Sequence, residues 1–206
     1  MKNTLIATFA ASAMAFAALG ASAQTPNDAP AGTYKLDPNH ASVVWKVSHL
    51  GLSNYTARFG KLDATLTYDP ADPTKSQLTA TVDPASVKTE YPNAATKDFD
   101  KELRDDPRFF KVGQFPEIKF VSTKLEKTGE KTGKMTGDLT FMGQTKPVTL
   151  DVTFNGSYKE HPLSKKPALG FSATGTVKRS TFGMDAMVPF IGDDVTVLVE
   201  TEFQRQ

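Results

Sequence analysis

The chain contains no cysteine. Disulfides, thiolate metal centres and thiol catalysis are therefore excluded, and the fold must rest on packing. Histidine is scarce: His40, His49 and His161 are the three present, and no two have the spacing of a local zinc motif. Charge of one sign is also lacking. Lys and Arg number 24 against 23 Asp and Glu, a formal net charge of +1, so no strong field draws nucleic acid or an acidic polymer. There is no G-x-S-x-G elbow and no glycine-rich phosphate loop before a helix. Asp98-x-Asp100-x-Glu102 begins like a calcium loop, but Leu103 stands where glycine is needed and Phe109 where the bidentate glutamate is needed. No cofactor or metal is implied by any motif.

Long apolar runs are confined to the start. Met1-Lys2, an apolar stretch from Leu5 to Leu19 and then Ala21-Ser22-Ala23 have the form of a secretory signal peptide, 1–23, cleaved after Ala23. The stretch is short for a membrane anchor. Cleavage leaves 183 of the 206 residues, the size of one ordinary domain. Residues 24–33 are polar and Pro-rich and are expected to be a disordered lead-in, with a single domain over 34–206.

What is abundant after Tyr34 is period-two alternation, the pattern of half-buried strands. Val43, Trp45, Val47 and His49 share a face, broken by Val44. Leu62 to Tyr68, Leu78 to Val82, Met135 to Phe141, Val148 to Phe154 and Leu169 to Val177 alternate with Thr, Lys and Asp. Ile118 to Leu125 is β-rich but mixed, and Val195 to Phe203 alternates except at Leu198. Turn signals separate these eight candidate strands, which fit a sandwich or an antiparallel barrel. Asn93 to Asp106 is read as a short helix, with Phe99 and Leu103 at i, i+4 spacing and Pro107 closing it. Leu50 to Phe59 is read as an irregular segment.

Alternation alone does not say which side faces inward, because a membrane barrel inverts it. The polar faces carry Lys61, Asp63, Asp138, Asp151, Glu200 and Glu202, no aromatic girdle recurs at strand ends, and the last strand ends in Gln204-Arg205-Gln206. These favour apolar faces turned inward. Those faces interleave large residues (Trp45, Phe141, Phe154, Phe171) with small ones (Ala64, Ala80, Gly137, Ala173, Gly175). Two readings remain open on the residues: a hollow barrel holding one ligand, or a filled barrel whose small residues fit its taper. A hollow would suit a chain-like apolar guest, since burial is worth about 0.8 kcal/mol per CH₂.

The order of several short motifs resembles the YceI-like family of exported bacterial proteins. Tyr34-x-Leu36-Asp37-x-x-His40-Ala41-Ser42-Val43, Val47-Ser48-His49-Leu50-Gly51 and Arg58-Phe59-Gly60 match its first part. Phe109-Phe110, Phe115-Pro116-Glu117-Ile118-Lys119-Phe120, Gly137-Asp138-Leu139-Thr140 with Gly143-x-Thr145 and Pro147-Val148, then Arg179-x-x-Phe182-Gly183-Met184 and Val195-x-Val197 continue it to Phe203. One departure is Asp100-Lys101-Glu102-Leu103-Arg104, where the family pattern has His in place of Glu102. The resemblance implies an all-β, eight-stranded antiparallel lipocalin-like barrel with one short helix and irregular loops. It also implies a periplasmic address, a homodimer, and an apolar tunnel for a polyisoprenoid or similar long amphiphile.

On this reading the protein binds a lipid without covalent chemistry. The expected lining is Trp45, Val47, Phe59, Leu66, Phe110, Phe120, Leu139, Phe141, Leu150, Val152, Phe154, Phe171, Phe182 and Val197. His49, Arg58 and Arg104 are the candidates for a polar head group. The rival readings are an enzyme acting on the same lipid and a structural or stress-related interaction protein with a filled barrel.

Overall fold

A computed structural model describes residues 28–206. Residues 1–23, expected to be a signal peptide, and residues 24–27 of the expected lead-in lie outside the described residues. The elements run β1 (Gly32–His49), β2 (Ser53–Phe59), β3 (Leu62–Tyr68), β4 (Gln77–Val82), β5 (Val87–Lys88), α1 (Phe99–Asp105), β6 (Ile118–Lys127), β7 (Thr132–Phe141), β8 (Gln144–Tyr158), β9 (Ala168–Lys178) and β10 (Ile191–Arg205).

All pairings are antiparallel, and β10 pairs back onto β1, so the sheet closes. β2 and β3 both run against β1: Val43 lies opposite Phe59 and Gly32 opposite Tyr68. They form one stave interrupted at Gly60 and Lys61, whose backbone N–H groups donate to the Ser86 hydroxyl at 3.1 and 3.0 Å. With β2 and β3 counted together and the two-residue β5 set aside, the barrel is closed and eight-stranded, and its fold is lipocalin-like. The segment expected to be irregular, Leu50 to Phe59, is thus mostly strand: Tyr55, Ala57 and Phe59 alternate with Thr56 and Arg58 once the tight turn at Leu50–Leu52 is set apart.

Bulges in β1 and β6 reset the inward parity along the cavity wall. Between Leu36 and Ala41, β1 inserts extra residues opposite Glu202 of β10, so Tyr34 and Leu36 are inward before the bulge and Val43, Trp45 and Val47 after it. In β6 the register shifts between Ser122 and Lys124, which moves the inward set from Phe120 to Leu125 and accounts for that strand's mixed pattern.

Between β4 and β6 the chain leaves the barrel wall. β5 pairs with the far end of β2 (Phe59 opposite Val87), and α1 packs beyond it. Seven residues are too few for an isolated helix, so tertiary contacts hold it. Leu103 is buried, the Asp98 side chain caps the N-terminus by accepting from Lys101 N at 2.8 Å, and Asp100 accepts from Thr89 N and Oγ1 at 2.8 and 2.6 Å. The helix is shorter than expected: residues 93–96 are turns, residues 93–98 are exposed with no apolar face to bury, and the Asp98 cap sets the start. Asp100 feels burial, which raises its pKa, but the Thr89 bonds outweigh it and hold the carboxyl below its ordinary value.

Residues 28–33 make specific contacts with the barrel. Ala29 is buried in the core, Asp28 accepts a bond from the Ser157 hydroxyl, and Gly32 and Thr33 already pair with Tyr68 and Thr67. The Tyr34 hydroxyl donates to Pro30 O at 2.6 Å, tying this segment across the barrel end.

Candidate functional site

The core is divided. Tyr34, Leu36, Leu66, Tyr68, Leu169 and Phe203 form one fully buried cluster, at the end where β1 begins. Phe59, Leu103, Phe110, Phe141, Phe182 and Met184 form a second, towards the end where β1 finishes. The inward side chains between these clusters, such as Trp45, Phe120, Phe154, Phe171 and Val197, are only partly covered although they point into a closed barrel. Inward yet incompletely buried means that the space they face is hollow. The cavity they line has a volume of about 720 Å³, in the range of ligand pockets, typically about 300–1,000 Å³.

Close approaches between strands keep that space open. A Cβ on Gly137 would lie 2.3 Å from the Phe120 ring, and one on Gly175 would lie 2.5 Å from Leu150 Cδ2. The absent side chains let Phe120 and Leu150 recline against the neighbouring strand instead of projecting to the barrel axis. The small residues of the inward face therefore make room along the wall. The protein's own aromatic rings close part of one end, where Phe110 stands between Phe59 at 5.6 Å, Phe141 at 6.1 Å and Trp45 at 6.5 Å between centroids, but they do not fill the hollow.

Of the residues singled out from the sequence, the structure brings most to the cavity wall. Trp45, Val47 and His49 come from β1, Phe59 from β2, Leu66 from β3 and Phe110 from the excursion before β6. Phe120 comes from β6, Leu139 and Phe141 from β7, Leu150, Val152 and Phe154 from β8, Phe171 from β9 and Val197 from β10. Three do not reach it. Phe182 is buried behind Phe141, ring to ring at 5.7 Å. Arg58 alternates outward opposite Lys88 and faces Glu90 at 3.4 Å. Arg104 lies in the last turn of α1, away from the lining.

Sequence reasoning passed over other wall residues, among them Val43, Leu78, Ala80, Met135, Val195 and Val199, all of which share the inward parity of a strand already identified. It also passed over the rim, where no period exists to read. At the end where β1 finishes, the cavity is edged by His49, Tyr55, Tyr91, Phe99, Met187 and Ile191, with Lys97, Glu102 and Arg108 nearby. Those charges are spent on one another: Lys97 contacts Glu102 at 2.7 Å, and Arg108 forks onto Asp106 at 2.9 and 2.7 Å. The Arg108 fork pulls the Asp106 carboxyl down to about 2. At the opposite end the lining reaches Thr74 and the β6–β7 hairpin, including Lys127 and Lys131.

Between the rims the wall is mostly apolar, with Tyr68 and Thr201 among its few polar residues. Among the described residues its orphaned polar atom is the Trp45 indole nitrogen, which is buried and has no hydrogen-bond partner there. On the outer surface, Asp37, His40 and Glu202 bring potential ligating atoms within 4.8 Å of one another at the β1 bulge. His40 Nδ1 and Gln204 Nε2 both bond Asp37 Oδ2 at 3.0 Å, so the group pins the bulge. Among the described residues no helix is long and apolar enough to cross a membrane.

This arrangement has counterparts. The YceI-like domain matches residues 34–203. A UPF0312 protein of Pseudomonas putida (strain GB-1) is 42% identical over 179 residues, which is 86% of either chain. The Campylobacter jejuni YCEI protein, known as a crystal structure, is 32% identical with a TM-score of 0.67 over 78% of this chain and 91% of its own. A polyisoprenoid binding domain from Saccharophagus degradans, implicated in plant cell wall breakdown, shares the fold at a TM-score of 0.65 and 13% identity, over 84% of this chain and 98% of its own. With its domain matched from Tyr34 to Phe203 and its barrel built in the same way, the chain belongs to the YceI-like family.

Proposed function

We propose that this protein is a periplasmic binding protein that holds a long-chain isoprenoid or similar amphiphile in its barrel and carries or stores it without covalent change. The observation that carries this reading is the cavity of about 720 Å³, whose wall is mostly apolar from β1 to β10. Catalysis needs polar groups placed at a reacting centre, whereas polar groups of the wall such as Arg179 and the Thr201 hydroxyl are bonded to backbone carbonyls. The likeness to a polyisoprenoid binding domain supports the choice of ligand class. The periplasmic address rests on the signal-like N-terminus.

The measurement that tests it uses isoprenoid alcohols of increasing length and the emission of Trp45, the chain's single tryptophan, which lines the cavity. Affinity rises with each added unit, by at most about 0.8 kcal/mol per CH₂, and levels off once the hollow is full. Substituting Ala173→Phe, on the wall between Val152 and Val199, abolishes binding of the longer alcohols and leaves the fold intact. A protein that shows no change in Trp45 emission with any alcohol, and yields no lipid on organic extraction, would refute the carrier reading. Turnover of an added isoprenoid would replace it with an enzyme.

A further inference from the structure

Five large apolar side chains are exposed on two adjoining loops. Leu50 and Leu52 sit in the β1–β2 turn, 52% and 86% exposed, and Met187, Val188 and Phe190 sit in the loop before β10, at 42%, 37% and 68%. Leu50 N donates to Phe190 O at 2.7 Å, so the two loops are tied together by their backbones. Leu50 and Met187 hold positive φ angles of 54° and 61°, an uncommon conformation for such residues. Exposed apolar side chains gathered at one place mark a contact surface, whereas scattered ones need no explanation.

Their position says what they contact. Leu50 follows His49, Ile191 lies opposite His49 in the ladder, and both His49 and Ile191 line the cavity. Met187 lines the cavity and is exposed outside it. The patch therefore adjoins the rim of the hollow, reaching it through Met187 and Ile191. Across that rim stand Tyr55 and Tyr91, each packed on Phe99 at 5.7 and 5.6 Å, with the Lys97 ammonium over the Phe99 ring at 4.9 Å. Apolar tips beside tyrosine rings and a lysine stem are the composition of a bilayer interface, where tyrosines sit at head-group level and lysines reach for water.

We infer that the loop tips Leu50–Leu52 and Met187–Phe190 dock the protein on a lipid bilayer and admit the ligand to the cavity at that rim. The inference rests on the proposed function in one respect, that the cargo is a membrane amphiphile. A hydrocarbon tail released into water pays for every exposed methylene. A rim pressed into the bilayer lets the tail slide from one apolar medium to another. Apolar side chains as exposed as Leu52 and Phe190, at the rim where a hydrocarbon tail would enter, suit insertion into lipid.

The test measures transfer of a fluorescent isoprenoid alcohol from vesicles of phosphatidylethanolamine and phosphatidylglycerol to the full protein, with flotation of the protein on the same vesicles. The double substitution Leu52→Glu, Phe190→Glu falls on exposed side chains and leaves the barrel folded. It slows transfer at least about tenfold and abolishes flotation, and affinity for the same probe added from ethanol is unchanged. Leu163→Glu is the control: Leu163 is 87% exposed in the β8–β9 loop, at the far end of the barrel, and its loss changes neither readout. Wild-type transfer by the double variant overturns the inference. So does a wild-type dimer that the double variant dissociates while neither form floats, which makes the patch an interface between copies. If the wild type takes up no probe from either source, the proposed function fails, and flotation alone decides the docking surface.

Discussion

Trp45 and Phe110 meet edge to face, with ring centroids 6.5 Å apart and planes at 78°. The contact joins a barrel strand to the excursion that leaves the wall between β4 and β6, and Phe110 is 9% exposed with Phe59 and Phe141 on its other sides.

Truncating that ring tests how far the excursion holds the barrel end. Phe110→Ala removes three aromatic contacts and opens the cavity towards Phe141. The expected cost is about 3–5 kcal/mol, read from urea unfolding. Trp45 emission in the folded variant shifts to the red as water reaches the indole. A loss under about 1 kcal/mol would mean that the excursion packs as an independent flap.

Gly137 bears on the hollow itself. A methyl group there collides with the Phe120 ring at 2.3 Å and with Val121 O at 2.6 Å. Gly137→Ala drives Phe120 off the wall and into the lumen, at an expected cost of about 1–3 kcal/mol. Affinity falls most for the longest isoprenoid alcohols, because the displaced ring shortens the usable space. Equal losses for short and long alcohols would show that Phe120 does not border the path of the tail.

How much of this could be read from the residues follows the ladder. On β3, β7, β8 and β9 the alternation runs unbroken past the cavity, so Leu66, Leu139, Leu150 and Phe171 could be placed inward from spacing alone. Val44 and Leu198, which break the alternation of their strands, are cross-strand partners on the outer surface, an apolar pair that no single strand reveals. The bulges in β1 and β6 reverse parity part-way, which only the partner strand discloses. The sequence offers Arg58 and Arg104 as head-group candidates, but position in the chain does not say which way a side chain turns. Neighbours in sequence on a strand point to opposite faces, so Phe59 lines the cavity and Arg58 turns to Glu90. The rim residues Tyr55, Tyr91, Phe99 and Met187 come together only through the fold of the excursion and the turns.

Alkaline pH should weaken the opposite end. Burial pushes the Tyr68 hydroxyl up to about 12, and the nearby Tyr34 and Asp28 reinforce the shift. Tyr34 is raised as well, chiefly by burial. In the unfolded chain a tyrosine ionises near pH 10, whereas the folded protein keeps the Tyr68 proton. Between these values the unfolded state binds fewer protons, so stability is full below about pH 10 and falls as pH rises towards about 12. Ultraviolet difference absorbance should show at least one phenol ionising late and together with loss of structure. Tyr68→Phe weakens this dependence and leaves the part that Tyr34 carries, and an unchanged alkaline midpoint in that variant would contradict the assignment.

The loop that carries Met187 and Phe190 hangs on one buried cation. Arg179 is 5% exposed and donates Nε to Gly192 O at 2.8 Å, Nη1 to Met184 O at 2.8 Å, and Nη2 to Ala186 O and Ile191 O, both at 2.9 Å. Burial lowers its pKa, but a guanidinium stays protonated at physiological pH, so the charge is met by carbonyl dipoles arranged around it. Arg179→Met leaves those four carbonyls unpaired and is expected to cost about 3 kcal/mol or more. Arg179→Lys restores a charge but concentrates its donors at one point, so it reaches fewer of the four and falls between wild type and Met. Hydrogen exchange separates a local role from a global one. In Arg179→Lys, protection should drop first at Val188 and Ile191, whose amides bond Asp185 O and Met187 O inside the loop, while β7 and β8 stay protected. Uniform loss of protection across all strands would show that Arg179 supports the barrel as a whole and does not hold the rim separately.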